Sequence, residues 1–179
     1  MLIVIGGLPG TGKTTIGREL VARWSSVFLR VDTIEHALRT AYGRVEDIGP
    51  MGYLVAYELA KSNLALGMPV VADCVNPLAV TREAWRAVAA SASSPMLEVE
   101  IVCSDLAEHR SRVERREADI QGFVLPTWQA VMHRNYEAWT TNRLVIDSAL
   151  VSASEAAEVI LDRSRRFAAS EHRQSSARN

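Results

Sequence analysis

Eight consecutive residues near the amino terminus have the types and spacing of a phosphate-binding loop. They read Gly-Leu-Pro-Gly-Thr-Gly-Lys-Thr over positions 7–14 and match the pattern G-x-x-x-x-G-K-[ST]. The glycines let backbone N–H groups converge on phosphate oxygens, which a Cβ would obstruct. Lys13 can reach the β- and γ-phosphates, and the Thr14 hydroxyl is placed to ligate Mg²⁺. The residues expected to bind the nucleotide are Gly7, Leu8, Pro9, Gly10, Thr11, Gly12, Lys13, Thr14 and Thr15.

The segments on both sides of this loop are the ones that the motif requires. The apolar run Leu2–Ile5 predicts a buried strand, and Thr14–Trp24 predicts a helix. The amino terminus of that helix adds partial positive charge where the phosphates would lie. An ordinary Gly/Pro turn before a helix is the alternative, and eight matched positions make it the weaker one. The sequence therefore predicts binding of a nucleoside triphosphate.

Three aspartates come at the ends of predicted strands, namely Asp32, Asp73 and Asp147. In a parallel α/β sheet, ligands bind outside the carboxyl ends of the strands, so each is a candidate site residue. Asp73 can organise Mg²⁺ as a Walker-B aspartate does, or it can hold the loop before Thr81. Asp147 is expected to fix the final loop, with lining of the nucleotide-base pocket as the alternative.

Asp32 has two possible roles. It begins Asp-Thr-Ile-Glu, which predicts a capping box with Asp32 as N-cap and Glu35 at the third helical position. A carboxylate at the edge of the sheet can also face substrate while it caps a helix. We favour a catalytic role because the phosphate loop already predicts phosphate chemistry nearby.

An arginine-rich helix is the second strong feature. Arg112 and Arg116 are four residues apart, which places them on one helical face, where like charges repel. Pairing with Glu108, Glu114 and Glu117 on a solvated helix is one interpretation. The other is that the two guanidiniums stabilise charge on the transferring phosphoryl group. The segment from Ala118 to Phe123 could then serve as a small lid.

Strand-like runs alternate with helical patterns along the chain. The strands are predicted over Leu2–Ile5, Val27–Val31, Val70–Asp73, Leu97–Cys103 and Arg143–Asp147. Helices are predicted near Thr14–Trp24, Thr33–Tyr42, Pro50–Leu66, Thr81–Ala92, Asp105–Ala118, Thr127–Trp139 and Ser154–Phe167. This alternation favours an α/β fold with a parallel sheet between two layers of helices. We expect one domain over residues 1–167 and a polar, frayed tail over 168–179.

Composition narrows the function classes. The chain has 179 residues, 48% of them apolar, and a formal net charge of −1. This charge gives no electrostatic reason to expect nucleic acid or a membrane surface as a partner. No run approaches the roughly 18 apolar residues of a membrane span. Cys74 and Cys103 lack metal-ligand spacing, and we expect them to be buried free thiols in a cytoplasmic protein.

Short motifs in a fixed order resemble the small P-loop kinases of the AAA-33 and nucleotide-kinase-like group. Besides the phosphate loop they are Val31-Asp32-Thr33 before Leu38-Arg39, Val71 to Asn76 before Arg82 and Trp85, Arg112 to Arg116, Thr127-Trp128, Tyr136 to Trp139, and Val145 to Ser148. Such relatives include chloramphenicol phosphotransferase, gluconate kinase, the kinase domain of polynucleotide kinase and the zeta toxins. The resemblance implies a five-stranded parallel sheet of order 2-3-1-4-5 and transfer of the ATP γ-phosphate to a substrate hydroxyl.

The resemblance also implies roles for particular residues. Asp32 would accept the proton of the acceptor hydroxyl, and Arg39 would hold substrate or phosphate. Arg82 would contact substrate, unless it is a solvated helix residue. Catalytic roles are thus expected for Lys13, Asp32, Arg112 and Arg116, substrate contacts for Asp32, Arg39, Asp73 and Arg82, and metal ligation for Thr14 and Asp73.

The acceptor is expected to enter between the segment Thr33–Leu66 and the lid. That region offers Tyr42, Glu46, Asp47, Met51, Tyr53, Tyr57 and Glu58, although core packing is expected for at least one of the last two tyrosines. The sequence thus predicts a kinase of small hydroxylated molecules that uses ATP and Mg²⁺ and acts as a monomer or homodimer. A polynucleotide or nucleotide kinase, a regulatory NTPase with water as acceptor, and a non-catalytic nucleotide-binding module are the alternatives.

Overall fold

Five short apolar strands form one parallel sheet in the order β2-β3-β1-β4-β5. The strands are β1 Leu2–Gly6, β2 Val27–Arg30, β3 Val70–Asp73, β4 Met96–Val102 and β5 Leu144–Asp147. The computed structural model describes residues 1–43 and 48–176, with side chains through residue 167. This strand order is the one that the resemblance implied, so the prediction of a P-loop NTPase fold is confirmed.

Helices flank the sheet on both faces. They are α1 Lys13–Arg23, α2 Val31–Ala41, α3 Met51–Ala65, α4 Ala79–Ser91, α5 Leu106–Arg115, α6 Trp128–Met132 and α7 Ala153–Ser176. Because both faces are covered, the central strand is apolar along its length, and Leu2–Ile5 is completely buried. On one face Val4 lies in a cluster with Ala56 of α3 and Trp85 of α4. On the other face β1 packs against α1 and α7.

The register of the strands brings the candidate residues to one edge of the sheet. Ile5 of β1 lies opposite Asp73 of β3, and Arg30 of β2 lies opposite Asp73 on the other side. The chain leaves β1 directly into the phosphate loop. The carboxyl ends of the three neighbouring strands therefore meet at the same point, as the rule for open parallel sheets predicts.

Several helix boundaries differ from the predicted ones, and the differences in α2, α6 and α7 change the interpretation of the sequence. α2 begins at Val31, two residues before the predicted start, which changes the position of Asp32 in the helix. α6 is a single short helix that ends at Met132 rather than at Trp139. In the segment predicted to continue this helix, the carbonyls of Glu137 and Ala138 accept hydrogen bonds from Arg82. α7 continues to Ser176, beyond the predicted end at Phe167.

Other expectations concern single residues. Cys74 and Cys103 are both buried and free, as predicted. Glu46 and Asp47, expected near the acceptor, lie outside the described residues. Within the described ranges, no helix combines the length and apolar character that crossing a membrane requires.

Candidate active site

The phosphate loop connects β1 to α1 and has the backbone that its glycines predict. Gly12 is the N-cap of α1, in the left-handed conformation with φ 93°. Gly10 also has positive φ, and a Cβ there would collide with Val113 of α5. A residue other than glycine would therefore be strained at both positions, and α5 packs directly on the loop because Gly10 has no side chain.

Lys13 lies across this loop. Its ammonium donates a 2.8 Å hydrogen bond to the carbonyl of Leu8, and the residue is 8% exposed. Burial lowers the pKa of Lys13, while the neighbouring carboxylates of Asp73 and Asp32 favour the charged form and oppose that shift. Lys13 thus lies between the loop and two carboxylates, where a phosphate oxygen could replace the Leu8 carbonyl.

The start of α1 is joined to the end of β3 by one short hydrogen bond. The Thr14 hydroxyl donates to Asp73 Oδ2 at 2.6 Å, and Asp73 is 3% exposed. Burial raises the pKa of Asp73, and Lys13 and the Thr14 hydroxyl act in the opposite direction. The two predicted metal ligands are therefore adjacent, and both are oxygen donors of the kind that Mg²⁺ prefers.

This pair alone would not form a closed metal cage. Among the described residues there is no group of three or more His, Cys, Asp and Glu side chains suited to hold a metal ion. Mg²⁺ is typically bound by one or two protein ligands together with substrate phosphates and water. Thr14 and Asp73, beside a phosphate loop, fit that kind of site.

A large open cavity of about 1230 Å³ extends from the phosphate loop toward α2. Its charged and polar lining combines residues predicted from the sequence with others that were not. The predicted ones are Lys13, Thr14, Thr15, Asp32, Arg39, Tyr53, Asp73, Arg112 and Arg116. The additional ones include Arg18, Arg30, Glu35, His36, Glu117 and Arg134, while Asp119 and Gln121 belong to the lid expected over residues 118–123.

The predicted capping box at Asp32 is wrong. Arg30 is the N-cap of α2, and Asp32 is already the second residue of the helix, without a capping hydrogen bond from its side chain. Glu35 pairs with Arg39 at 3.2 Å instead of reaching back to the start of the helix. The side chain of Asp32 is 32% exposed and lines the cavity. Asp32 therefore does not cap α2, and capping was the alternative to a catalytic role.

Arg30 is a site residue that the sequence analysis missed. It is 7% exposed, and its guanidinium lies 3.8 Å from Asp32, 3.9 Å from Asp73 and 2.6 Å from Asp119. Its place as the last residue of β2, directly before Val31 and Asp32, was the available signal. The strand-end rule that selected Asp32 applies equally to Arg30.

Of the two candidate arginines, Arg112 lies within α5 and Arg116 directly follows its last residue. Arg112 is anchored within the helix and across to the loop after β5, because it donates to Glu108 at 2.9 Å and to Ser148 Oγ at 2.9 Å. Arg116 is the C-cap residue that follows the last residue of α5, and the chain leaves the helix there with extended ψ. Both side chains nevertheless line the cavity. The helix also contains internal ion pairing: Arg112 binds Glu108, one of the predicted partners, and Arg110 binds Glu114.

The residues from Arg116 to Thr127, here called the lid, cross the cavity between α5 and α6. Asp119 binds Arg18 and Arg30, and Phe123 meets the ring of His36 edge-on at 6.2 Å between centroids. The small lid expected over residues 118–123 is therefore part of a longer segment.

His109 is a second residue that sequence reasoning missed. Its Nε2 forms a 2.8 Å hydrogen bond with the carbonyl of Pro9 in the phosphate loop, and the residue is 4% exposed. Trp128, the first residue of α6, packs edge-on against the imidazole at 5.1 Å. A lone histidine in an arginine-rich helix carries no sequence signal for such a contact. In the folded protein, the hydrogen bond from His109 connects α5 to the phosphate loop.

Arg82 does not have either of the roles left open by the sequence. It is 2% exposed, it does not line the cavity, and its guanidinium donates to the carbonyls of Asn76, Pro77, Glu137 and Ala138. Its guanidinium carbon also lies 4.1 Å from the ring centroid of Trp139. Arg82 is thus a buried structural residue that joins the loop after β3 to the segment before β5.

The remaining candidates divide between site and scaffold. Tyr53 lines the cavity and accepts a hydrogen bond from the Asn76 amide, whereas Tyr57 packs edge-on against Trp85 in the core. Asp147 accepts hydrogen bonds from the amides of Ser104 and Ala149. Hydrogen bonding from the Ser104 side chain, together with these amide bonds, lowers the pKa of Asp147. These contacts fix the loop that follows β5, which is the role expected of Asp147.

Comparison with known proteins identifies the family and the fold. The sequence profile of the AAA_33 family, described as an AAA domain, matches residues 2–138, which include the phosphate loop and the lid. No curated protein sequence matches the chain.

Several solved structures share the fold over nearly the whole chain. A candidate kinase from Chloroflexus aurantiacus is 15% identical, with a TM-score of 0.70 over 93% of this chain and 96% of that one. A gluconokinase from Sinorhizobium meliloti is 19% identical, with a TM-score of 0.65 over 97% and 96%. The APS kinase CysC of Mycobacterium tuberculosis, solved in complex with AMPPNP and APS, is 18% identical, with a TM-score of 0.63 over 90% and 95%. At such identities the likeness concerns the fold.

Proposed function

The chain belongs to the AAA_33 family of AAA domains and has a kinase-like P-loop fold, and on that premise we propose that it is an ATP- and Mg²⁺-dependent phosphotransferase. It would move the γ-phosphate to a hydroxyl of a small molecule. The observation that carries the proposal is that Asp32 lines the same cavity as Lys13 and Thr14 of the phosphate loop. A carboxylate able to take a proton thus faces the place where phosphates are expected.

Nucleotide binding is assigned to the phosphate loop and the start of α1. Backbone amides of the loop and the ammonium of Lys13 would bind the phosphates, and the helix amino terminus adds favourable charge there. Thr14 and Asp73 would hold Mg²⁺, which neutralises charge on phosphate oxygens when it is bound with the nucleotide. The APS kinase solved with AMPPNP, which has the same fold, supports an adenine nucleotide.

Proton transfer is assigned to Asp32. Its carboxylate would accept the hydroxyl proton of the acceptor as the acceptor oxygen forms a bond to the γ-phosphorus. The bond from that phosphorus to the bridging β,γ-oxygen breaks, and ADP leaves with the electron pair. A positioned base of this kind contributes about 10²–10⁴ in rate.

Charge on the transferring group is assigned to Arg112 and Arg116. Both line the cavity, one fixed by Ser148 and Glu108 and the other carried by the lid. Such preorganised cations act where charge develops in the transition state. Because phosphoryl transfer needs little covalent chemistry from the protein, positioning and electrostatics would supply most of the rate.

The acceptor is assigned to the end of the cavity formed by α2 and the lid. This end presents Glu35, His36, Arg39, Tyr53 and Arg134. It thus offers both cations and a carboxylate for a polar, hydroxylated molecule. Lid residues would cover the acceptor and limit loss of the phosphoryl group to water.

Two buried free thiols fit a protein of a reducing cytoplasm.

A γ-phosphate transfer screen tests the proposal. Purified protein with labelled ATP and Mg²⁺ is offered nucleosides, sugars, aminoglycosides, amphenicols and short oligonucleotides, with an acceptor-free reaction as control. The proposal expects label to move to at least one small hydroxylated compound, faster than it moves to water. Label released only as inorganic phosphate, at a rate that no acceptor changes, would favour the NTPase alternative. Transfer to oligonucleotides alone would favour a polynucleotide kinase.

A further inference from the structure

One carboxylate ties the lid to the body of the protein. Asp119 Oδ2 accepts a hydrogen bond from Arg18 of α1 at 2.5 Å and another from Arg30 of β2 at 2.6 Å. Among the residues that the structure describes, these are the ion pairs that join the lid to other elements. The same oxygen therefore connects three separate parts of the fold.

Arg30 is the buried member of this contact. It is 7% exposed, whereas the side chain of Arg18 is 59% exposed. The guanidinium of Arg30 lies 3.8 and 3.9 Å from Asp32 and Asp73, and its Nε has no hydrogen-bond partner. Its short hydrogen bond therefore goes to the lid and not to either carboxylate of the active site.

Asp119 is negatively charged in this contact with two arginines. The hydrogen bond from Arg30, together with the one from Arg18, lowers the pKa of Asp119 to about 2. Asp119 is thus ionised at any pH at which the protein would work, and charge-assisted hydrogen bonds are stronger than neutral ones. Exposure of Arg18 to solvent weakens its share, so the bond to Arg30 is the important one.

We infer that Asp119 and Arg30 form a latch that holds the lid closed over the cavity and thereby positions Arg116. Arg116 lies three residues before Asp119 and outside the last turn of α5. Its place over the cavity is therefore set from both sides, by the end of α5 and by Asp119. Asp119 and Arg30 are positioning residues, since they act through Arg116.

The aromatic contact of the lid is a weaker anchor. Phe123 meets His36 only edge-on, and the neighbouring Val124 is 88% exposed. An edge-on pair of rings with solvent on one side contributes less than two charge-assisted hydrogen bonds. Opening of the lid should therefore depend chiefly on Asp119.

Hydrogen exchange of the lid amides tests the latch without any reference to activity. We would compare peptides covering residues 116–127 in the unaltered protein, Asp119→Ala and Asp119→Glu. Asp119→Ala should speed exchange about tenfold or more, because a hydrogen bond to a charged group shifts an opening equilibrium by that order. Asp119→Glu keeps the charge and should restore part of the protection. Glu114→Ala, which removes an exposed ion pair with Arg110 on α5, is the matched control and should leave lid exchange unchanged.

Kinetics then test positioning. The positioning of Arg116 for phosphoryl transfer rests on the proposed function. If it holds, Asp119→Ala should lower kcat about tenfold, with a smaller change in KM for ATP. Unchanged lid exchange in a folded Asp119→Ala protein would overturn the latch. Faster exchange with unchanged kcat would overturn the positioning role. If the unaltered protein phosphorylates no acceptor, the proposed function fails, while the exchange result still decides the latch.

Discussion

The hydroxyl of Thr14 donates a 2.6 Å hydrogen bond to the buried carboxylate of Asp73, which joins the start of α1 to the carboxyl end of β3. The two oxygens therefore act as one unit at the base of the cavity. We regard this pair as the place where Mg²⁺ and the nucleotide phosphates would be held together.

Asp73→Asn tests that assignment. Asn can still accept the hydrogen bond from Thr14, but it lacks the negative charge that attracts Mg²⁺. We expect turnover to fall about 10²-fold, with partial recovery as Mg²⁺ is raised, because the change removes one preorganised electrostatic contact. Stability should fall, because buried Lys13 and Arg30 lose a neighbouring negative charge, so a melting curve has to show that the variant is folded. A Mg²⁺ titration of turnover checks this, and an unaltered titration curve would remove Asp73 from the metal site.

Asp32→Asn tests the proposed base. Because Asp32 does not cap α2, the substitution removes no capping hydrogen bond, and the melting temperature should hardly change. Turnover at saturating acceptor should drop roughly 10²–10⁴-fold, because Asn cannot accept a proton. ATP binding should survive, since Lys13 and the loop amides are untouched. If turnover stays normal, Asp73 becomes the leading candidate for the catalytic carboxylate.

Arg112→Ala and Arg116→Ala test the two cavity arginines. Both should lower phosphoryl transfer more than nucleotide affinity, because their contacts strengthen as charge develops on the transferring group. Only Arg112→Ala should also lower stability, by about 1 kcal/mol, because it leaves Ser148 without its guanidinium partner. Arg110→Ala, on the same helix and exposed, is the matched control. Full activity of both variants would show that these side chains line the cavity without taking part.

His109→Ala tests whether α5 keeps the phosphate loop in place. The Pro9 carbonyl would lose its partner, which should cost about 1–3 kcal/mol of stability. Small displacements of a binding loop can cost up to about 10²-fold, so kcat/KM for ATP should fall by roughly 10- to 100-fold. His109→Gln keeps an N–H donor and should recover part of both losses. His133 is an exposed histidine of the same region, so His133→Ala is the control and should lower neither stability nor kcat/KM. Wild-type kcat/KM in a folded His109→Ala protein would refute this role.

The sequence was informative where chemistry depends on neighbours along the chain. The phosphate loop, the strands and the alternation with helices follow from local residue types, and the strand order followed from the resemblance. The strand-end rule brought Asp32 and Asp73 to the same edge, where the structure has them. These features are local because backbone geometry and hydrophobic periodicity determine them.

What the sequence did not predict depends on contacts between distant residues. Arg30 meets Asp119, 89 residues later, and His109 meets Pro9, 100 residues earlier. Arg82 resembles an exposed helix residue in the sequence, yet carbonyls more than 50 positions away satisfy its guanidinium. The capping box at Asp32 failed because α2 starts two residues early, and helix ends are the least certain feature of any sequence pattern.

The proposed active site depends on Lys13, so transfer of labelled γ-phosphate should be compared between the unaltered protein and Lys13→Met. Lys13 is buried, so methionine is the better choice because it retains the apolar stem and leaves less of a void than alanine. With an acceptor found in the screen, we predict that the unaltered protein transfers phosphate and that the variant is slower by roughly 10²–10³-fold or more, with its fold intact by melting curve. Near-normal transfer by a folded Lys13→Met protein would contradict the proposed active site.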